Sequence, residues 1–259
     1  MIPIADDNSD RHLTPIVNYA FIGLNVFVFL VLQGMGKNLP FTYSYSTIPA
    51  EILVGTDIVT VPREVLDPET GQRKLLPGLG PTPIPVWLTL LTSMFMHGGW
   101  GHLLGNMLFL WVFGDNIENR MGHLRYLVFY LLCGVLASLC HVWVTAYANP
   151  ANLQIPSLGA SGAISGVMGG YLLLFPKRMV QVFVFRAIVM MPAVAVLGIW
   201  IGLQLFSGWM ETWGIGIGGG GVAYAAHFGG FAFGLLLVKL FDRGQGYVVV
   251  RRGRKRFSR

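Results

Sequence analysis

The chain has 259 residues, of which 54% are hydrophobic and only 12% are charged. Soluble globular proteins carry about 25% charged residues, so this composition excludes an ordinary soluble domain. The mean hydropathy of +0.60 and the 34 glycines indicate membrane-spanning helices that approach one another closely.

The net charge of +6 is unevenly placed along the chain. Eight of the eighteen Lys and Arg residues lie between Lys239 and Arg259, directly after an apolar stretch. This pattern is typical of a cytoplasmic tail that faces anionic lipid, so the expected partner is the lipid bilayer rather than nucleic acid. The only cysteines, Cys133 and Cys140, lie in another apolar run and are expected to be buried and not paired in a disulfide.

The first half of the chain contains one long apolar run. Residues 1–15 are polar and lack the features of a signal peptide, so we expect them to remain as a cytoplasmic N-terminus. Residues 16–33 are long enough to cross about 27 Å as a helix, and they form the first predicted span. Residues 34–85 are rich in Pro, Gly and Thr, which predicts a long extracytoplasmic loop with a short strand at 58–61.

The second half of the chain is predominantly apolar. Residues 87–96 are too short to span a bilayer and are predicted to lie at its interface. The further predicted spans are 103–117, 124–148, 157–175, 188–206 and 222–240. A flexible glycine-rich loop is predicted over 207–221 and a basic cytoplasmic tail over 242–259. The prediction is therefore an all-α membrane protein with six transmembrane helices and a membrane domain over 16–241.

The distribution of basic residues predicts the orientation. Six spans place both termini on one side of the membrane. With a cytoplasmic N-terminus, fourteen Lys and Arg residues fall on the cytoplasmic side and four on the other. The positive-inside rule then predicts that both termini are cytoplasmic, in a plasma or inner membrane.

Polar side chains are costly inside a bilayer, so those in the apolar segments are candidates for a site. His102 and Asn106 are four residues apart, which places them on one face of the second predicted span, and His97 precedes them. Interhelical hydrogen bonding alone would also explain any one of these residues.

Two further polar residues begin or interrupt apolar helices. Ser161 lies in a glycine-flanked turn at the start of a helix, where free N–H groups and the helix dipole favour an oxyanion. As an alternative, Ser161 is a helix cap or a small residue for close packing, since Ser165 and several glycines follow it. His227 lies between small residues in the last predicted span, where it is either a hydrogen-bonded core residue or the partner of Ser161.

Together these motifs resemble those of the rhomboid family of intramembrane serine proteases, over residues 87–241. The family's His-x-x-x-x-His-x-x-x-Asn, Gly-x-Ser-Gly and Ala-His-x-x-Gly-x-x-x-Gly motifs are matched, as are a glutamate and an arginine after the second helix. The matching residues are His97, His102, Asn106, Gly159, Ser161, Gly162, Ala226, His227, Gly230, Gly234, Glu118 and Arg120.

The resemblance implies an endopeptidase with a serine–histidine dyad. Ser161 is then the nucleophile and His227 its general base. The oxyanion is held by the Ser161 backbone N–H, the Asn106 amide and the His102 ring. Substrates are expected to be transmembrane helices of other proteins that enter laterally past the fifth span, and no cofactor or metal is implied.

The chain departs from the family at two places. A Trp-Arg pair found in the first loop of many members is not evident. Ser165 stands where some members have an aromatic residue that stacks on the histidine, so packing or another hydrogen bond must orient His227.

Two other classes of function compete with a protease. A transporter or haem protein could use His102, His141 and His227, but the sequence shows neither repeated His pairs nor an inverted repeat. The stronger alternative is a non-catalytic rhomboid-like protein that binds transmembrane helices. We expect the remaining histidines, His12, His123 and His141, to lie in loops or to make structural hydrogen bonds.

Overall fold

The computed structural model describes residues 1–66, 73–212 and 224–244. Within these ranges the longer helices are α1 (Ile16–Phe27, continued by a π-helical turn at Val28–Leu32), α5 (Trp100–Met121), α6 (His123–Ala148), α7 (Ser161–Leu174), α8 (Ala193–Thr212) and α9 (Tyr224–Phe241). The shorter ones are α2 (Leu39–Tyr45), α3 (Pro49–Val54) and α4 (Thr89–Thr92), the last flanked by 3₁₀ turns at Val86–Leu88 and Ser93–Phe95.

The prediction of an all-α fold is wrong in detail, because the described residues also contain two β-sheets. The antiparallel strands β1 (Ile2–Asp6), β4 (Met179–Val184) and β5 (Ala187–Pro192) form one sheet in the order β1-β4-β5. The strands β2 (Arg63–Leu66) and β3 (Arg73–Leu76) pair as a hairpin. The strands therefore come from the predicted N-terminal segment, from the predicted loop at 34–85, and from the region between the fourth predicted span and the start of the fifth.

The bounds of the observed helices agree with some of the predicted spans and differ from others. Helix α6 agrees with the span predicted at 124–148, whereas α5 is longer than 103–117 and α7 begins four residues after 157. The fifth span, predicted at 188–206, is wrong at both ends, because 188–192 belong to β5 and α8 extends to Thr212.

The segments predicted as loops contain more regular secondary structure than expected. The segment 34–85 contains α2, α3 and a hairpin, and its strands lie at 63–66 and 73–76 rather than 58–61. The predicted flexible loop at 207–221 is helical over 207–212, and its remainder lies outside the described residues, as do 222, 223 and most of the basic tail.

Three helices of the described chain are long and apolar enough to cross a membrane, namely His123–Ala148, Ala193–Met210 and Tyr224–Phe241. Shorter apolar helical segments occur at Ile16–Leu32, Val86–Phe95 and Ser161–Leu174. The protein is therefore a mostly helical, multi-pass integral membrane protein, and the number of six spans stays a prediction.

Close backbone contact between α7 and α9 explains the glycines of both helices. A Cβ atom at Gly230 would overlap the carbonyl oxygen of Gly162, and one at Gly234 would overlap that of Gly166. Only glycine permits this approach, which is the small-residue packing known from membrane helices. The two helices that carry Ser161 and His227 are thus held in a fixed relation.

Charged residues after the second predicted span connect the ends of three helices. The Glu118 carboxylate accepts hydrogen bonds from the backbone N–H groups of Val17 (3.0 Å) and Asn18 (2.7 Å), which have no partner within α1. Arg120 forms a two-point ion pair with Asp242, just beyond α9, at 2.6 and 3.2 Å. This pair lowers the pKa of Asp242 through the hydrogen bond from Arg120. The ends of α1 and α9 are therefore attached to the end of α5.

The N-terminal strand is attached to the same end of the bundle through Asp6. Its carboxylate accepts hydrogen bonds from the Tyr171 hydroxyl (2.5 Å) and the Asn116 amide (2.7 Å). Burial raises the pKa of Asp6 to about 7, against the effect of the Tyr171 hydrogen bond, and the carboxylate of Asp115 adds to the rise. Compared with the unfolded chain, the folded protein therefore shifts Asp6 towards its protonated form.

This raised pKa predicts a pH-dependent stability. A group whose pKa is higher in the folded state stabilises the fold at low pH, and the effect is lost as pH rises through the folded-state value. The melting temperature of the wild type should therefore fall between pH 5 and pH 8, and that of Asp6→Asn should fall less. Asp7→Asn is the control, because Asp7 is fully exposed and hydrogen bonds from Ser9 lower its pKa. Equal slopes for the wild type and Asp6→Asn would contradict the assignment.

Candidate active site

The candidate residues meet at one end of the helix bundle. Helices α5, α7 and α9 begin at this end, and α6 and α8 finish there. The opposite end carries Glu118, Asp242 and the β1-β4-β5 sheet. Because the helices alternate in direction, residues far apart in the chain come together around a cavity of 960 Å³.

A short hydrogen bond joins Ser161 and His227. Ser161 is the first residue of α7, and its Oγ lies 2.7 Å from Nε2 of His227, near the start of α9. The Ser161 N–H belongs to the first turn of its helix, where N–H groups lack acceptors within the helix. A hydroxyl held against an imidazole nitrogen at this distance has the geometry that general-base activation of a nucleophile requires.

Gln204 contacts the other nitrogen of the same ring. Its Oε1 lies 2.7 Å from Nδ1 of His227, and it projects from α8 into the cavity. Nothing in the sequence singles out this residue except that a polar side chain lies in an apolar helix. Ser165, which replaces the stacking aromatic, donates instead to the carbonyl oxygen of Ser161 at 2.6 Å.

His102 lies beside Gly159, two residues before Ser161. Its Nδ1 accepts a hydrogen bond from the Gly98 N–H (3.3 Å), so Nε2 carries the proton of the neutral ring. This side of the ring faces Gly159, where a Cβ atom would lie 2.8 Å from Nε2. Gly159 also has a φ of +127°, so a glycine is required both by conformation and by the approach of His102.

Asn106 lines the cavity with an unsatisfied amide. The residue is 8% exposed, and its Nδ2 has no hydrogen-bond partner among the described residues. A buried donor without a partner carries a desolvation cost, so such a group marks a place where a ligand could accept its hydrogen bond.

His97 supports the site from behind. Gln33 at the end of the first helix bonds both the N–H (2.9 Å) and the carbonyl (3.0 Å) of His97. The His97 ring is buried edge-on against His102, with centroids 5.1 Å apart. His97 is not among the residues of the described chain that line the cavity.

The other histidines and the cysteines have different environments. His123 pairs with Glu118 at 2.5 Å, and the backbone of His12 donates to Asn119, in agreement with structural roles. His141 lies in α6 rather than in a loop, near the end of the helix, and is among the lining residues of the cavity. Cys133 and Cys140 are free, the first buried and the second partly so. In the described ranges no three His, Cys, Asp or Glu side chains are grouped for a metal ion.

A smaller cavity lies beside Ser161 and Gly159. Its volume is about 20 Å³, and its lining includes the hydroxyl-bearing residues Ser93, Ser138 and Ser157. A polar space of this size is sufficient for a single water molecule.

These observations define a multi-pass membrane protein in which a serine and a histidine from two close-packed helices face one cavity. The family model of the Rhomboid domain matches residues 85–243, which is more than half of the chain. The chain therefore belongs to the rhomboid family, and the predicted membership is confirmed.

Similar proteins come from several organisms. The chain is 34% identical over 151 residues to "Rhomboid protein 1, mitochondrial" of Saccharomyces cerevisiae, an alignment covering 58% of this chain and 40% of the yeast protein. It is 38% identical over 86 residues to "Rhomboid protease GluP" of Bacillus subtilis, covering 33% of this chain and 15% of that protein. The match to "Putative rhomboid protease YdcA" of the same organism is 32% over 113 residues, covering 43% and 54%.

The chain thus spans less than two thirds of the length of each of these relatives. The yeast relative and the similar "Presenilin-associated rhomboid-like protein, mitochondrial" of Mus musculus carry mitochondrial names. These relatives do not support the predicted plasma membrane location.

Proposed function

We propose that the chain is an intramembrane serine endopeptidase that hydrolyses peptide bonds in or near transmembrane helices of other proteins. The observation that carries the proposal is the 2.7 Å hydrogen bond between Ser161 Oγ and His227 Nε2 inside a cavity of the membrane domain. Membership in the rhomboid family and the protease names of two relatives support it.

In this mechanism Ser161 Oγ attacks the carbonyl carbon of the scissile peptide bond. The hydroxyl proton passes to Nε2 of His227, which then delivers it to the leaving amine. The acyl-enzyme is hydrolysed by a water molecule, which the same histidine deprotonates. The small cavity beside Ser161 offers a position from which such a water could approach.

Three donors are assigned to the oxyanion. They are the N–H of Ser161 at the start of α7, the unpartnered amide of Asn106 and the protonated Nε2 of His102. Fixed donors in a site of low dielectric stabilise developing negative charge more strongly than mobile water does.

A serine-directed fluorophosphonate probe tests the proposal. Such a probe reacts with an activated serine and not with an ordinary one. The purified wild type should be labelled, and Ser161→Ala should not. An unlabelled but folded wild type would favour the alternative, a non-catalytic rhomboid-like binder of transmembrane helices.

The proposed substrates are transmembrane helices that reach the cavity from the bilayer past α8. Residues of α8 line one side of the cavity, and Gly198 and Gly202 on this helix have open space where a side chain would be. Residues 207–212, which were predicted as part of a flexible loop, form the last turns of α8 on this side of the cavity. Comparison of membrane proteins released by cells with the wild type and with Ser161→Ala would identify the substrates.

We further propose the six-span topology with both termini in the cytoplasm. The charge asymmetry of fourteen to four supports it, as does the attachment of both β1 and Asp242 to the C-terminal end of α5. A C-terminal reporter that is active only outside the cytoplasm is expected to be silent. An active reporter would show that the number of spans is odd or the orientation reversed.

A further inference from the structure

The amide of Gln204 occupies the position next to His227 at which water-soluble serine proteases have a carboxylate. Ser161 and Gln204 lie 2.7 Å from Nε2 and Nδ1 of the ring, so both nitrogens are engaged. For Nε2 to accept the serine proton, the neutral ring must carry its hydrogen on Nδ1. Nδ1 then donates to Oε1 of Gln204, which fixes this tautomer.

The other contacts of His227 do not fix the tautomer. The Trp200 ring lies 6.0 Å away, centroid to centroid, and offers van der Waals contact. The titratable residues that share the cavity are His102, His141 and Tyr224, and among the lining residues of the described chain there is no carboxylate or cationic side chain. Gln204 therefore provides the acceptor without the desolvation cost of a buried charge.

We propose that Gln204 is the positioning residue of the Ser161–His227 pair, holding the imidazole in the orientation and tautomer that make Nε2 the base. This inference rests on the proposed proteolytic function. When Ser161 Oγ bonds to the substrate carbonyl carbon, its proton forms the second N–H bond of the ring. The resulting imidazolium donates Nδ1–H to Gln204 until Nε2 releases its proton to the leaving amine.

The location of Gln204 couples the base to a separate helix. Ser161 and His227 stand on α7 and α9, which are held together by backbone contact at Gly230 and Gly234. Gln204 stands on α8, which borders the cavity. A displacement of α8 therefore removes the acceptor while the serine and the histidine remain together.

Two substitutions separate positioning from packing. Gln204→Met keeps the approximate size and removes the acceptor, whereas Gln204→Glu keeps the acceptor and adds a negative charge. Leu203→Ala is the control, because Leu203 is 57% exposed on the outer face of the same helix. The measurements are the fluorophosphonate labelling rate of the purified full chain from pH 5 to pH 9, and the melting temperature of each variant.

We expect Gln204→Met to reduce the plateau labelling rate by about tenfold to a hundredfold, the effect of one hydrogen bond to a charged group. The acid limb of its pH profile, where protonation of His227 lowers the labelling rate, should move to lower pH. The reason is that the imidazolium loses a stabilising acceptor. Gln204→Glu should retain most of the rate and move the acid limb to higher pH, because a carboxylate stabilises the imidazolium further. Leu203→Ala should match the wild type.

A purely structural role predicts a lower melting temperature with an unshifted acid limb, and that result would overturn the proposal. A Gln204→Met profile that coincides with the wild type would also overturn it. If Gln204→Met does not fold, the pH profile of Gln204→Glu is the test. An acid limb that does not move to higher pH in this variant would overturn the proposal. Failure of the wild type itself to be labelled would instead refute the proteolytic function, so the two failures are distinguishable.

Discussion

Replacing Ser161 or His227 by alanine is expected to abolish cleavage of a transmembrane substrate, while the protein still accumulates folded in the membrane. Without the hydroxyl no acyl-enzyme forms, and without the imidazole the hydroxyl stays protonated and a poor nucleophile. In a soluble serine protease, loss of either residue costs about a millionfold in rate. The measurement is turnover of a transmembrane substrate in proteoliposomes, normalised to folded protein.

The double variant adds a stricter requirement. Residues that act as one unit are not additive, so Ser161→Ala/His227→Ala should be no slower than either single variant. Cys133→Ala and Cys140→Ala serve as controls and should leave turnover nearly intact, since both thiols are free and neither is among the lining residues of the large cavity. Measurable turnover in Ser161→Ala or His227→Ala would refute the dyad.

The long apolar helix α6 shows what the sequence determines well. Its observed bounds of His123–Ala148 differ by one residue from the prediction, because the residues from Leu124 to Ala148 are apolar apart from Arg125 and a few polar side chains. Gly122 has a φ of +78°, which suits glycine and separates α5 from α6.

The segment 179–192 shows where sequence reasoning fails. An apolar run such as Ile188–Met191 has no period that separates a strand from a buried helix. Its strand conformation depends on pairing with β4 and, through β4, with β1 at the other end of the chain. Such long-range pairing cannot be read from the local pattern.

Only part of the candidate site could be predicted from the sequence. The motif spacing was sufficient to select Ser161, His227, His102 and Asn106, all of which line the same cavity. It did not indicate Gln204 or His141, since the direction of one polar side chain on an apolar helix depends on how the helices pack. The contribution of α6 and α8 to the site follows only from the three-dimensional arrangement.

Asn106 provides the most direct test of the oxyanion assignment. If its amide donates to the oxyanion, Asn106→Ala removes a contact made in the transition state and leaves the nucleophile and base in place. Loss of one such donor costs roughly 2.7 to 4 kcal/mol, so turnover should fall about a hundredfold to a thousandfold without vanishing. The variant should still be labelled by a fluorophosphonate, more slowly than the wild type.

A second asparagine on α5 supplies the matched control. Asn116 is buried like Asn106, but its side chain bonds Asp6 (2.7 Å), Asn8 (2.9 Å) and Arg178 (2.5 Å) at the opposite end of the helix. Asn116→Ala should therefore lower the melting temperature and leave turnover per folded molecule unchanged. Asn106→Ala should lower turnover and leave the melting temperature nearly unchanged, because its Nδ2 has no partner in the described chain to lose. A normal rate with a lowered melting temperature in Asn106→Ala would make this residue a packing amide and remove it from the site.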